Sequence, residues 1–329
     1  MTNLKIYTKS KNKFMTIKTL LLVVIAAVLS VIVIIHSEFA SKGIKHGIDY
    51  CTGVLIPSMF FLVFISTAII KSEICNKTKI IFDKVTKFLF YLPGTTAPTI
   101  LLSFIAGYPV SAAGIRELYR KNEINSEQLN RMMLFCVNLG PAFIISTLGK
   151  SMLKNTKTGL ILFIIQITSS MLIGIISGII ARIKKTEFYY KNSDFKSVNF
   201  SFGSLLVESC EGTCKTLINM CTPVILFFGI VSIFENLNTI DYLAENLVRL
   251  GLDHGSATSL VVSLLEMTQG CMVAASHKTP LWVFSFALSF GGFCAHTQVI
   301  SELKNTPFKY SKFLFYRLIV AVTQTIIFF

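Results

Sequence analysis

The chain has 329 residues, of which 53% are hydrophobic and only 15% are charged, and its mean hydropathy is +0.65. Soluble domains carry about 25% charged residues, so this composition excludes a disordered chain, a disulfide-stapled secreted module and most soluble enzymes. Thirty-one Lys and Arg residues against seventeen Asp and Glu residues give a formal net charge of +14. The basic residues lie in short gaps between apolar runs, which indicates the positive-inside rule rather than a nucleic-acid-binding face. The predicted fold class is all-α, in a polytopic membrane protein whose partner is the lipid bilayer and not a nucleic acid.

The eight cysteines form no C-x-x-C pair, and most of them lie within apolar runs. A cysteine in such a run behaves as a small hydrophobe, and the ligand spacing of a structural zinc site is missing. The chain also lacks HExxH and GxSxG motifs and any cluster of Asp and His residues, so nothing supports a membrane enzyme. We therefore expect no metal, no cofactor and no catalytic residue.

Nine apolar runs follow one another, and a spanning helix needs about 20 mostly apolar residues. The first run, 19–35, follows a lysine-rich head and has no small-residue cleavage site after it. It is therefore predicted to be an uncleaved span with its N-terminus in the cytoplasm. The later runs cover residues 50–70, 88–115, 132–149, 158–181, 216–234, 255–276, 279–301 and 313–329.

Two of these runs are predicted to be re-entrant hairpins rather than full crossings. Run 88–115 contains three prolines and three glycines, and run 255–276 carries Glu266 within it. If both runs enter the membrane and return, the acidic loop 235–254 lies outside, and the basic segments lie in the cytoplasm as the charge rule prefers. Those basic segments are 71–87, 116–131, 182–185 and 304–317. The three lysines of 150–157 disagree, because the same arrangement places them outside.

An internal repeat relates the two halves of the chain. IPSMFFLVFISTAII over 56–70 aligns with TPVILFFGIVSIFEN over 222–236, and FIAGYPVSAA over 104–113 aligns with MTQGCMVAAS over 267–276. A further glycine-broken apolar helix follows each hairpin. Under the predicted topology the two copies are inverted, and inverted repeats with broken helices place a binding site near the middle of the bilayer.

Two stretches carry a resemblance to a known family: GYPVSAAGIRELYRKNEINSEQLNRMMLFCVNLGPAFI over 107–144, and FGGFCAHTQVISEL over 290–303. They resemble the nucleoside-recognition, or gate-domain, membrane proteins, and within that group the sporulation integral membrane proteins of the YlbJ type. The resemblance implies a fold like the core of concentrative nucleoside transporters. It also implies a role late in endospore formation, in moving dipicolinate across the outer forespore membrane. The family label does not by itself make a nucleoside the substrate.

The repeat and the resemblance together predict the domain organisation. The expected parts are an N-terminal cytoplasmic head and first transmembrane helix (1–45), a first gate-type repeat with its connecting helix (46–183), a cytoplasmic linker (184–202), a second gate-type repeat (203–303) and a C-terminal transmembrane helix (304–329).

Candidate substrate-binding residues lie at the two hairpins. Pro109 suits the first turn of a helix, and the free amides of that turn, with the Ser111 hydroxyl, are suited to a dicarboxylate. A tight packing turn is the alternative. The predicted residues of the two hairpins are Gly107, Tyr108, Pro109, Ser111, Thr268 and Gln269. The charged segment 116–121 that follows is either a cytoplasmic entrance for anions or, more simply, a solvated face.

Polar residues within the apolar runs complete the candidate site. Asn138, beside Gly140 in a broken run, either binds substrate or ties two helices together. Glu266 is assigned to a coupling ion, because an ionisable residue inside a membrane is a functional hypothesis by default; a solvated position near the surface is the alternative. His296 and Gln298 are assigned to substrate, with a neutral structural histidine as an equal alternative.

The sequence thus predicts a transporter rather than an enzyme, moving a small organic anion by alternating access. Dipicolinate is the substrate that the resemblance implies. Two alternatives stay open: a nucleoside transporter of the same fold, and a non-transporting membrane scaffold required for sporulation. A homo-oligomer, or a complex with other sporulation membrane proteins, is also expected.

Overall fold

The computed structural model describes residues 19–20, 23–24, 27–72, 74–189 and 202–328, and all regular elements of these residues are helical. Residues 27–35 are helical, whereas parts of the predicted first span and most of the predicted linker lie outside the described residues. The helices that follow are α1 (Ser37–Lys71), α2 (Ile74–Phe90), α3 (Ala97–Ile105), α4 (Tyr108–Arg120), α5 (Ser126–Phe135), α6 (Ala142–Met152), α7 (Thr156–Ile183), α8 (Phe202–Asn236), α9 (Thr239–Val248), α10 (His254–Leu265), α11 (Met267–Ser276), α12 (Leu281–Phe290), α13 (Gly292–Glu302) and α14 (Tyr310–Ile327).

Four helices of the described residues are long and apolar enough to cross a membrane, namely α1, α7, α8 and the pair α12–α13. The bent pair Ile81–Phe90 and Gly94–Ile105 meets the same criteria, with an angle of 92° between its arms. Large apolar side chains such as Leu160, Ile164 and Ile176 of α7 are about half exposed, which is expected where lipid covers a helix face. The all-helical architecture with several apolar helices is that of a polytopic membrane protein.

The two longest helices, α1 and α8, pack against each other in opposite directions. Near the N-terminal end of α1, Gly43 lies against Phe228 and Gly229 in the last part of α8. At the opposite end, the Lys71 ammonium donates to the Glu208 carbonyl at 2.7 Å. A Cβ at Gly43 would come within 2.5 Å of the Phe228 carbonyl oxygen, so glycine is what permits this close approach.

Both helices begin well before the uncharged runs found in the sequence. α1 begins at Ser37 rather than at residue 50, and α8 begins at Phe202 rather than at residue 216. The first part of α1 is amphipathic, and its buried residues recur at helical spacing: Ala40, Gly43, Gly47 and Tyr50. A search for uncharged runs misses such a segment, and the predicted domain boundary at residue 45 consequently falls inside α1.

Helical hairpins occupy both runs in which hairpins were predicted. The first joins α3 to α4 at Gly107, whose φ is +84°, and its arms meet where a Cβ at Gly114 would lie 2.9 Å from Thr99 Cγ2. The second joins α10 to α11 at Glu266, and its arms are so close that a Cβ at Gly270 would overlap Ser263. That either hairpin enters and leaves the membrane on the same side stays a prediction.

Each hairpin turn packs against a break in the helix pair that follows it in the chain. Gly140, between α5 and α6, lies against the first hairpin, where an added Cβ would be 2.8 Å from the Ile105 carbonyl oxygen. Gly292, at the break between α12 and α13, lies against the second hairpin, where an added Cβ would be 3.1 Å from the Leu265 carbonyl oxygen. The order of long helix, hairpin and broken helix therefore occurs twice. The inverted relation of the two copies stays a prediction.

Candidate functional site

Three cavities lie in a row along α1 and α8. A basic cleft of about 410 Å³ lies at the C-terminal end of α1, a second cleft of about 510 Å³ lies toward its N-terminal end, and a central cavity of about 50 Å³ lies between them. On α1, Thr67 lines the basic cleft, Met59 the central cavity and His46 the second cleft. The stretch from His46 to Thr67 corresponds to roughly 30 Å of helix, which is about the thickness of the hydrocarbon core of a bilayer.

The turns of the two hairpins meet at the central cavity. Residues 107–109, here called the first tip, and residues 266–268, the second tip, both line it. Gly140 lines it between the two halves of its broken helix, and α1 and α8 supply further wall. The two breaks in the hairpins and one break in the following helix thus surround a single small space.

The first tip presents a helix N-terminus without a side-chain cap. α4 begins at Tyr108, Pro109 lies in its first turn as predicted, and Gly107 supplies no side-chain acceptor. The first amides of a helix have no partner within the helix, and its N-terminus carries a partial positive charge. The first tip therefore offers a weakly positive end to the central cavity.

The second tip presents a helix N-terminus capped by its own carboxylate. Glu266 Oε2 accepts a hydrogen bond from the Gln269 amide at 2.7 Å, and Glu266 ends α10 as well as preceding α11. Its side chain is only 2% exposed, so the alternative of a solvated position near the surface is wrong. The turn is at Glu266 itself, just before the predicted Thr268 and Gln269.

The eleven predicted site residues divide into two groups in the structure. Six line the central cavity: Gly107, Tyr108, Pro109, Gly140, Glu266 and Thr268. Five do not line it: Ser111, Asn138, Gln269, His296 and Gln298. That any of the six binds a ligand stays a prediction.

Two of the five outlying residues make hydrogen bonds within the protein. Ser111 is fully buried, and its hydroxyl donates to the Tyr108 carbonyl at 3.0 Å within α4. The Asn138 amide donates to the Phe135 carbonyl at 2.7 Å, and its oxygen accepts from the Ser170 hydroxyl. Asn138 therefore ties the break after α5 to α7, which is the second of the two roles considered for it.

The other three outlying residues have separate surroundings. The ring nitrogens of His296 contact the Tyr310 hydroxyl at 3.1 Å and the Phe290 carbonyl at 3.0 Å, so both are occupied within the protein. Gln298 is buried against its own helix, and Gln269 lines the second cleft rather than the central cavity. A structural histidine is the description that fits His296.

Arg317 of α14 is a candidate that the sequence analysis did not assign. It is buried, and its guanidinium donates to the Val137 carbonyl at 2.8 Å, beside one helix break. A Cβ at Gly291, in the other helix break, would lie 3.7 Å from its Nη2 atom. No carboxylate of the described residues lies within ion-pair distance of it. As the only charge in run 313–329, Arg317 carried the same signal that singled out Glu266.

Comparison with known proteins gives one relative that matches along most of both chains. Over an alignment of 335 positions, gaps included, the chain is 22% identical to the sporulation integral membrane protein YlbJ of Bacillus subtilis (strain 168), and the alignment covers 93% of this chain and 81% of YlbJ. No protein-family model and no solved structure matches the chain. The similarity supports the YlbJ-type family and, together with the apolar helices, a multi-pass membrane protein involved in sporulation. The gate domain named from the sequence stays a prediction.

Proposed function

We propose that this protein is a transporter, without covalent chemistry, that moves a small organic anion across the membrane by alternating access. Dipicolinate is the proposed substrate and the outer forespore membrane the proposed location. The observation that carries the proposal is the row of three cavities, with a small space between two larger clefts at opposite ends of α1 and α8. A space of about 50 Å³ holds water but not an aromatic dicarboxylate, so substrate enters only when the tips move apart.

The directions of the hairpin arms support two inverted repeats. From the central cavity, α4 runs to the basic cleft, where Arg116 and Glu117 line the wall. α11 runs from the same cavity to the second cleft, where Met272 and Val273 line the wall. Because α1 and α8 are also antiparallel, each copy leads from the centre to a different end. Rocking one copy against the other would open one end at a time.

Contacts between basic segments support the proposed orientation. The Arg182 guanidinium donates to the Lys87 and Phe88 carbonyls, each at 2.9 Å, so two segments assigned to the cytoplasm lie together. Lys71, at the basic cleft, belongs to the same basic segment as Lys87. The basic cleft would accordingly face the mother-cell cytoplasm, from which the anion is taken.

Uptake by vesicles containing the purified protein tests the proposal. Dipicolinate and uridine are compared under imposed proton and sodium gradients, and accumulation of dipicolinate alone is expected. Ser58 lines the central cavity, so Ser58→Phe should fill it and abolish uptake. Thr52→Phe places the same ring on the same helix outside the cavity and should leave uptake unchanged.

Other results would identify the alternatives. Accumulation of uridine but not dipicolinate would replace the proposal with a nucleoside transporter of the same fold. If an inserted protein moves neither compound, and its deletion spares dipicolinate movement in sporulating cells while mislocalising other membrane proteins, the protein is a scaffold. Equal uptake by the Ser58 and Thr52 variants would remove the central cavity from the pathway.

A further inference from the structure

Basic side chains from three helices that are distant in the chain line the basic cleft. Lys71 comes from the end of α1, Arg120 from the end of α4 and Lys215 from the first half of α8. Its volume of about 410 Å³ lies within the usual range of small-molecule sites, unlike that of the central cavity. The cleft therefore has room for a small organic molecule in the present conformation.

Basic side chains outnumber acidic ones in the cleft lining. The lining includes five basic residues, Lys71, Arg116, Arg120, Lys121 and Lys215, and three acidic residues, Glu117, Glu208 and Glu302. Each acid lies near one base: Glu302 is 2.5 Å from Arg116, Glu117 is 3.6 Å from Lys121 and Glu208 is 3.8 Å from Lys71. In the described part of the chain, Arg120 and Lys215 have no carboxylate within ion-pair distance. Two positive charges are thus left over.

The floor of the cleft is a fixed polar cluster. The Arg116 guanidinium also donates to the Glu302 carbonyl at 2.9 Å, and the Asn219 amide donates to Glu302 Oε1 at 2.6 Å. Glu302 is only 2% exposed, and its contacts with Arg116 and Asn219 hold α4, α8 and α13 together. The geometry of the cleft is therefore built in and does not depend on a ligand.

An apolar layer separates the basic cleft from the central cavity. It consists of Met59, Val63, Ala106, Val110, Leu217 and Met220, contributed by α1, the first hairpin and α8. Val110 lines the cleft and the preceding Pro109 lines the central cavity, so the two spaces lie on opposite sides of this layer. A charged ligand does not cross such a layer without losing its hydration, so the two spaces are distinct sites in this conformation.

We infer that the basic cleft is a binding site for small organic dianions, in which Arg120 and Lys215 each meet one negative group of the ligand. The inference rests on the proposed function, since it takes a small organic anion as the substrate class. The cleft would concentrate the substrate at the membrane face before the tips open. Two unpaired charges on opposing helices favour a ligand with two negative groups over one with a single group.

Equilibrium binding to the full-length protein in nanodiscs of neutral lipid tests this inference. The probes are dipicolinate, a dianion at neutral pH, and nicotinate, a monoanion with the same ring. Arg120→Gln and Lys215→Gln should each weaken dipicolinate binding about threefold, and the double variant about tenfold. Lys304→Gln removes the same charge from an exposed position outside the cleft and should change binding by less than about twofold. Equal affinity of the double variant, or equally tight nicotinate binding, would overturn the inference.

Two further measurements separate this inference from its rivals. If phosphatidylglycerol added to the nanodiscs displaces dipicolinate from the wild type, the cleft is a lipid headgroup site and the inference is wrong. Unchanged binding is expected. Binding without vesicle uptake would remove the proposed transport and leave the cleft site standing. Uptake that the double variant leaves unchanged, at dipicolinate concentrations below saturation, would remove the cleft site and leave transport standing.

Discussion

The two hairpin tips face one cavity, yet only one of their two helix N-termini has a side-chain cap. α4 begins after Gly107 with no side-chain acceptor, whereas α11 begins after Glu266, whose carboxylate accepts a hydrogen bond from the Gln269 amide. An open N-terminus attracts an anion, while a capped one has its positive end already neutralised. Two copies of one structural pattern therefore provide different chemistry, with an anion-attracting end opposite a buried carboxylate.

This difference gives a physical basis for ion coupling. A substrate anion at the first tip and the Glu266 carboxylate at the second would repel each other across a space of only about 50 Å³. Binding of the anion then favours a proton or a cation at Glu266. The comparison predicts that each tip has one task, and the variants below test that division.

The largest effect is expected from Glu266→Gln. The amide oxygen of glutamine can still accept the Gln269 N–H, so the cap is kept while the charge is removed. Uptake driven by an imposed proton or sodium gradient should fall by about tenfold or more, whereas exchange of substrate without a gradient should persist. Glu245→Gln, on the exposed face of α9, should leave both activities unchanged. Gradient-driven uptake that survives in the Glu266→Gln variant would show that Glu266 does not couple an ion.

The next effect concerns the open N-terminus of the first tip. Gly107 has a φ of +84°, so Gly107→Asp and Gly107→Asn carry the same backbone strain and nearly the same shape. Only the aspartate adds a negative charge at the start of α4. Substrate uptake should require about tenfold more dipicolinate for the Asp variant than for the Asn variant. Thermal unfolding of both variants provides the control, and equal uptake at equal stability would argue against an anion at this tip.

A smaller effect is expected from Arg317, which donates to the Val137 carbonyl at one helix break and lies near Gly291 at the other. Arg317→Met removes a buried charge that has no carboxylate partner among the described residues and keeps nearly the same side-chain volume, so the relief of charge burial offsets the lost hydrogen bond to the Val137 carbonyl. If the charge also attracts substrate toward the tips, dipicolinate affinity should fall about threefold while thermal stability is kept. Arg317→Lys keeps the charge and should recover part of the affinity. A variant that loses stability but not affinity would make Arg317 a purely structural residue.

Local signals in the sequence predicted the hairpins and part of the candidate site. Pro109 and Gly107 act on their own neighbours in the chain, and a lone acid such as Glu266 stands out in any apolar run. These features therefore located the turns of both helical hairpins and six of the residues that line the central cavity. The turn of the second hairpin was predicted at Thr268 and Gln269 but lies at Glu266. The side chain of Glu266 itself caps α11, so the helix begins directly after it.

Contacts between distant segments account for what the sequence did not reveal. Asn138 meets Ser170, and His296 meets Tyr310, so their side chains are used within the protein. No spacing in the chain shows which distant residue will be the partner. The amphipathic beginning of α1 was missed for a related reason. Only the face that packs against α8 is apolar, and the sequence does not show which helix covers that face.

The smallest expected effect is at the outer end of the second hairpin. Asp253 caps α10, and its side chain accepts from the Ser256 amide at 2.8 Å. This hydrogen bond holds the pKa of the Asp253 carboxyl below its usual value. A lowered carboxyl pKa stabilises the fold above the unfolded-state pKa of about 3.9, and this contribution is lost as the pH falls through the folded-state value.

Asp253→Ala should therefore cost about 1 kcal/mol of stability at pH 7, seen as a lower Tm, and the cost should shrink in acid as the wild-type aspartate becomes protonated. Asp253→Asn keeps a capping oxygen without a titrating group, so its Tm should stay close to that of the wild type at pH 7. Gradient-driven uptake should be unchanged in both variants, because the cap lies at the far end of the hairpin from Glu266. Loss of uptake in the Asn variant would mean that the whole hairpin, and not only its tip, takes part in coupling.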